Sequence, residues 1–343
     1  MHGDGVGNLA HSKTDTPAKE SVAKTIGKYF AFTRPFTLLP PLLGMVSGAV
    51  TALGASAWRN EMSFIEFFTV PGNLIYLYYL ALGASMAAVL NAASNVLNQI
   101  TDFENDRINK PERMLPAGRV SATAAAVFSV ALYAVALWLA WLAAPDGSHE
   151  CFWLALAAAV FTYLYSARPF RTKRHWFGAN LTIAIPRGWL LKVAGWSCIA
   201  PIATDVEPWY IGAVFFLFLL GAATTKDFSD MEGDREAGCI TMPVRFGVRR
   251  SSWMIAPSFV LPWLLLPLGV VLEKPGGGEA VLTGNPVLLV SLGVFLAVYG
   301  AYTAWTILRD PDSLASTENH PSWTHMYLLM MTAQVGFALA YVF

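Results

Sequence analysis

The chain is short of charge and has no paired cysteines. Only 13% of its 343 residues are Asp, Glu, Lys or Arg, and the 23 basic and 23 acidic side chains cancel. Bulk charge therefore gives no reason to expect nucleic acid as a partner, and none is expected; what matters is where each charge falls. Cys151, Cys198 and Cys239 form an odd set with no C-x-x-C spacing, so neither a disulfide framework nor a thiolate metal site is indicated. An apolar signal-peptide core is missing from residues 1–28, which are polar and read as a cytoplasmic N-terminal tail. No linker or shift of composition divides residues 29–343, which read as one transmembrane domain.

What the chain has is apolar length. Apolar residues make up 55% of it and the mean hydropathy is +0.47. A bilayer span needs about 20 mostly apolar residues. Nine segments qualify, near 29–53, 74–99, 121–144, 151–166, 178–199, 208–226, 252–273, 286–308 and 323–342. The fourth is short, and the fifth carries Arg187 and Lys192. The expected fold is an all-α polytopic membrane protein, with about nine helices around a central cavity. If the N-terminus lies inside, 19 of the 23 Lys and Arg residues fall on that side. Arg59 and Lys274 fall outside, and Arg187 and Lys192 lie within the fifth span. Excess basic charge marks the cytoplasmic side. This places the N-terminus and the long polar connections in the cytoplasm of a cell with this protein in its inner membrane, and the C-terminus outside.

Two constellations lie on the cytoplasmic ends. Asn91, Asn95, Asn98, Asp102 and Asp106 step by four, three, four and four, which would keep them on one helical face. A polar stripe in a membrane helix is expensive unless it faces a cavity or partner groups. Arg107, Lys110, Arg113 and Arg119 follow it. The sixth span ends in Asp227, Asp230 and Asp234, stepping by three and four, with Lys226 before them and Arg235 among them. Magnesium takes one or two carboxylates, keeps waters and bridges to phosphate oxygens, while Arg suits bidentate phosphate contacts. Facing one another, the two acidic sets would hold two magnesium ions around one diphosphate. Such a site suits ionisation of a prenyl diphosphate inside an apolar chamber.

These residues resemble the UbiA superfamily of intramembrane prenyltransferases. The family's N-x-x-x-D-x-x-x-D is met by Asn98, Asp102 and Asp106, and its D-x-x-D-x-x-x-D by Asp227, Asp230 and Asp234. N-K-P-E-R-M-L-P-A-G follows the first, with Met114 where proline is usual. Arg34-Pro35-Phe36-Thr37 matches R-P-x-T, and Tyr165 to Lys173 matches Y-S-x-P-P-x-R-x-K with Arg168 for the first proline. Gln99 stands where many members carry a further Asp. The resemblance covers about 29–250. It implies that Asn98, Asp102, Asp106, Asp227, Asp230 and Asp234 hold magnesium–diphosphate, with Asp102 and Asp230 essential to catalysis. Arg113, Lys173 and Lys226 would contact phosphate, and Tyr165 would lie near the reacting carbon. Asn95 is a further substrate-binding candidate on the polar stripe.

The motif spellings are closer to the chlorophyll-synthase and geranylgeranylglyceryl-phosphate-prenylating branches than to the hydroxybenzoate branch. That favours a geranylgeranyl-sized donor and leaves an aromatic, tetrapyrrole or glycerol-phosphate-type acceptor open. Arg187, deep in the fifth span, is the candidate for an acidic acceptor; Lys192 is expected to snorkel to the outer face. Two other classes compete. A CDP-alcohol phosphotransferase also uses Asp-rich helix ends and magnesium, but its continuous D-G-x-x-A-R core is missing. An ion-coupled transporter would put its charges near midplane on broken helices.

Overall fold

The computed structural model describes residues 21–317 and 320–343, without the side chains of 108 and 109. Among the described residues there is no strand, only two isolated bridges, His175 with Ile240 and Glu273 with Ala280. Residues 1–20 of the expected tail lie outside the described residues. The remainder of that tail is helical, because Ser21 caps a helix over Val22–Phe32 by accepting from the Lys24 amide.

Among the described residues, seven helices are long and apolar enough to cross a membrane: Pro35–Arg59, Ile75–Thr101, Ala122–Leu142, Glu207–Lys226, Val248–Val271, Pro286–Leu308 and Pro321–Val342. The expected fourth span is a shorter apolar helix, Glu150–Ser166. The expected fifth is interrupted: α-helix over Trp176–Ala184, a π-helical turn over Ile185–Leu190, then α-helix over Leu191–Ser197. Pro186 sits in that turn and has no N–H to give an α-helical bond, which the wider turn accommodates. Among the described residues the expected count of nine spans is therefore not confirmed: seven helices reach the length and hydropathy to cross.

Side-chain pairing marks the two ends of the bundle. At one end, Asp102 pairs with Arg171 and Lys173, and the His175–Ile240 bridge joins the connection after Ser166 to the one after Lys226. At the other, Arg59, Asp205, Glu207, Lys274 and Glu279 form one ion-pair network. Glu207, fully buried, also accepts from the Tyr341 hydroxyl at 2.5 Å and the Thr283 amide at 2.7 Å. The Asp-rich connections and the network thus lie at opposite ends.

Small residues let the central helices approach closely. A methyl group on Gly195 would lie 2.5 Å from the Met45 carbonyl oxygen, and one on Gly48 would lie 2.7 Å from that of Lys192. Pro35–Arg59 and the helix Leu191–Ser197 therefore cross backbone to backbone. That contact buries Lys192 instead of releasing it to the outer face. Its Nζ donates to Ser47 Oγ at 2.7 Å and stands 4.7 Å from the centre of the Phe215 ring. The expected snorkelling fails because the crossing leaves the side chain no route to the surface.

Candidate active site

The polar stripe is not one continuous helical face. The helix Ile75–Thr101 stops at Asp102 (φ −99°, ψ 8°), and a new one runs over Phe103–Asn109. The break divides the stripe into two functions. On the membrane side, Asn91 and Asn95 donate to the Thr37 and Thr33 carbonyls, both at 2.9 Å, and Gln99 to that of Phe32 at 3.0 Å. Asn95 also donates to Thr37 Oγ1 at 2.7 Å. Its amide nitrogen is thus engaged in clamping the turn that carries Arg34 rather than turned to substrate. The clamp satisfies backbone oxygens freed where the chain kinks at Arg34, whose φ of 57° is left-handed.

Beyond the break, each carboxylate of the first set has a basic partner. Lys173 Nζ lies 2.5 Å from Asp102 Oδ1 and 3.0 Å from Asn98 Oδ1; Arg171 Nη2 reaches the same Asp102 oxygen at 3.0 Å. Arg113 Nη1 donates to both oxygens of buried Asp106 at 2.6 Å. The loop bearing Arg113 is anchored by a small core of Phe32, Val96, Leu115, Val120 and Ala125. Burial, the largest influence, pushes the Lys173 ammonium below its ordinary pKa against the pull of Asp102.

The second set lacks such partners. The helix Glu207–Ala222 tightens to 3₁₀ over Ala223–Lys226, turns through Asp227–Asp230 and restarts over Met231–Glu236. The acids therefore follow a bend in the chain rather than one helix. Among the described residues, Asp227, Asp230 and Asp234 form no ion pair, and Lys226 is exposed beside them. Burial, then repulsion from Asp230, pushes Asp234 up to about 6. Burial and the charges of Asp234 and Asp230 push Asp227 up as well. Asp227 and Asp234, both pushed up in part by the charge of Asp230, sit where positive charge is short.

Tyr165 joins the two sets: its half-buried phenol lies within electrostatic reach of Asp102, Asp227, Asp234 and, on the membrane side, Arg187. The candidates Asn98, Asp102, Asp106, Arg113, Lys173, Tyr165, Lys226, Asp227, Asp230 and Asp234 thus gather at one end of the bundle, with Arg187 deeper. Two contributors were not singled out from the sequence. Arg171 pairs with Asp102 from a left-handed backbone (φ 39°), and Arg34 lies close enough to Asp102, Asp106 and Arg113 for their charges to act on it. A non-glycine residue in that conformation costs about 1–2 kcal/mol. Both sit beside known motif residues, Arg34 opening R-P-x-T and Arg171 two places before Lys173, which is the signal that would have found them.

Among the described residues, no three His, Cys, Asp or Glu side chains stand close enough to cage a cation unaided. The donor set fits a hard divalent ion of another kind, one that takes one or two carboxylates and completes its shell with water and phosphate oxygens. The unpaired, mutually repelling Asp227, Asp230 and Asp234 are suited to that role.

An all-helical membrane bundle with two opposed acidic bends at one end has the architecture of an intramembrane enzyme acting on a diphosphate. The chain belongs to the UbiA prenyltransferase family, whose model matches residues 62–320. It is thus a prenyltransferase, not a transporter or a phosphotransferase. It is 28% identical over 307 residues to the bacteriochlorophyll synthase 34 kDa chain of Chloroflexus aurantiacus, covering 89% of this chain and 88% of that one. It is 32% identical over 226 residues to digeranylgeranylglyceryl phosphate synthase of Methanothermobacter thermautotrophicus, covering 64% and 71%. The fold matches the structure of a UbiA homolog from Archaeoglobus fulgidus bound to GPP and Mg2+, with a TM-score of 0.67, 21% identity and coverage of 92% and 99%.

Proposed function

We propose that this enzyme transfers a geranylgeranyl-sized group from its diphosphate to a lipophilic acceptor, through magnesium-assisted ionisation to an allylic cation. The observation that carries this reading is the electrostatic contrast across Tyr165: one acidic set matched by Arg113, Arg171 and Lys173, the other unmatched. Asn98, Asp102, Asp106, Asp227, Asp230 and Asp234 would hold the metal. When bound, magnesium offsets the charge that grows on the leaving diphosphate.

The chain's own groups do the rest. Lys173, Arg171 and Arg113 are held beside the first acids, so an arriving diphosphate finds cations already in place. They shift from carboxylate to phosphate oxygens, and exposed Lys226 adds a further donor from the opposite bend. The Tyr165 ring presents an electron-rich face toward the carbon that becomes cationic. The apolar interior beyond it keeps water from the cation.

The relatives' names support a long isoprenoid donor and an acceptor of tetrapyrrole or glycerol-phosphate type. The distribution of Lys and Arg supports a cytoplasmic active site in the inner membrane. The test is to incubate the purified enzyme and magnesium with labelled geranyl, farnesyl and geranylgeranyl diphosphates. The acceptors are hydroxybenzoate, homogentisate, chlorophyllide and geranylgeranylglyceryl phosphate. Prenylated product, greatest with the geranylgeranyl donor, is expected. Diphosphate release from none of the three donors would overturn the reading.

A further inference from the structure

Arg187 is a cation in the interrupted apolar helical segment over 176–197, yet it is exposed and, among the described residues, forms no hydrogen bond or ion pair. It lines a cavity whose other walls are largely apolar, including Met86, Leu90, Leu154 and Leu190, with Asn91, Ser94 and Thr162 as polar exceptions. The π-helical turn over Ile185–Leu190 carries Arg187, and Pro186 beside it also lines the cavity. Such turns recur where a helix must aim a side chain at a ligand.

Depth separates this cavity from the diphosphate end. Ser166 donates to Asn98 Oδ1 at 3.3 Å and so marks the level of the first acidic set. Thr162 lies four residues further along its helix, and Ser94 eight residues before Asp102; at 1.5 Å per residue these are about 6 and 12 Å deeper. Tyr165 stands between, feeling both Arg187 and the acids. A diphosphate held by those acids leaves its reacting carbon facing Tyr165, with the Arg187 cavity beyond it. Two occupants compete for that space, the hydrocarbon tail of the donor and the acceptor. A tail offers nothing to an unpaired guanidinium, whereas an anion neutralises it with charge-assisted hydrogen bonds.

We propose that Arg187 and the cavity it lines are an acceptor site, selecting a lipophilic molecule that carries one anionic group, carboxylate or phosphate. This rests on the prenyl-transfer reading for the word acceptor; the binding specificity is testable without turnover.

The experiment measures binding to the purified full-length enzyme in detergent, using two acid–neutral pairs. Geranylgeranylglyceryl phosphate against geranylgeranylglycerol tests a phosphate source, and hydroxybenzoate against its methyl ester tests a carboxylate. At least one acid is expected to bind about tenfold or more tighter than its neutral partner, the scale of a hydrogen bond to a charged group. Arg187→Gln should erase that preference, and Arg187→Lys should retain part of it. Inorganic diphosphate with magnesium serves as the donor-end probe. Equal loss of its affinity and the acid's in Arg187→Gln would place Arg187 at the donor end and overturn the proposal. So would equal binding of acid and neutral partner, or a preference that survives Arg187→Gln. Absence of diphosphate release by the unaltered enzyme counts against prenyl transfer alone, because the binding result does not depend on it.

Discussion

Lys173 Nζ lies 2.5 Å from Asp102 Oδ1, a cation buried beside an acid in the site proposed to receive a diphosphate. The pairing holds the ammonium at the first acidic set, where the proposed reaction releases diphosphate. Lys173→Met is expected to lower kcat/KM for magnesium-dependent diphosphate release by about 10²-fold or more, the scale seen when one preorganised donor is removed. Lys173→Arg should recover part of the loss. Full activity in the methionine variant would remove Lys173 from the site.

The two acidic bends are not equivalent. Asp102→Ala removes an acid already matched by two cations, whereas Asp230→Ala removes one from a set with no ion pair. Both substitutions should abolish diphosphate release, but their effects on the free protein should differ. Asp230→Ala is expected to raise thermal stability in the absence of metal, because it relieves repulsion on Asp227 and Asp234. Asp102→Ala should lower it by stranding Lys173 and Arg171. Thermal melting in EDTA separates the cases, and equal shifts of the same sign would contradict the asymmetry.

At the far end, Glu207 is fully buried and holds Arg59 at 2.8 Å and Lys274 at 3.3 Å. Removing one partner of a buried pair costs about 3–5 kcal/mol, and partial exposure of Arg59 reduces that here. Glu207→Ala should destabilise the detergent-solubilised protein by about 2 kcal/mol. A change in melting temperature within error would show that the network contributes nothing.

The same network sets an acid limit. Burial alone would raise the Asp205 carboxyl, but the Glu207 amide, Arg59 and Lys274 outweigh it and hold the group below its ordinary range. Glu279 is held down in the same way against burial, by Lys274 and Arg59. With folded pKa values below the unfolded values of about 4, their contribution is complete above that pH and is lost as pH falls through the folded values. The stability gap between the unaltered protein and Asp205→Asn should therefore be constant from neutrality to about pH 5 and shrink below pH 4. A gap that widens in acid would refute the assignment.

Much of this was legible in the sequence, for a physical reason. Membrane spans are long apolar runs because the bilayer demands them, so the expected segments near 74–99, 121–144, 151–166, 286–308 and 323–342 each fall on a single α-helix. The Asp motifs were legible because their spacing and basic followers are chemical requirements. The illegible parts are backbone events. Nothing in A-I-P-R-G-W announces a π-helical turn instead of a kink, and N-Q-I-T-D-F does not announce a helix that stops at Asp102. Helical phase alone wrongly kept Asn91 to Asp106 on one face. Lys192 was misplaced for a related reason: the backbone contact of Gly48 with Gly195, which traps it, is a tertiary fact.

The sealed end of the bundle has an electrical consequence. A protein that opens a polar hollow partway through a bilayer thins the insulating layer that sustains the membrane potential. Moving one elementary charge through 100 mV amounts to about 2.3 kcal/mol. Trp196, Glu207 and Tyr341 are almost completely inaccessible, and the ion pairs around Glu207 are knitted across three connections of the chain. That packing is the dielectric that remains at this end of the bundle.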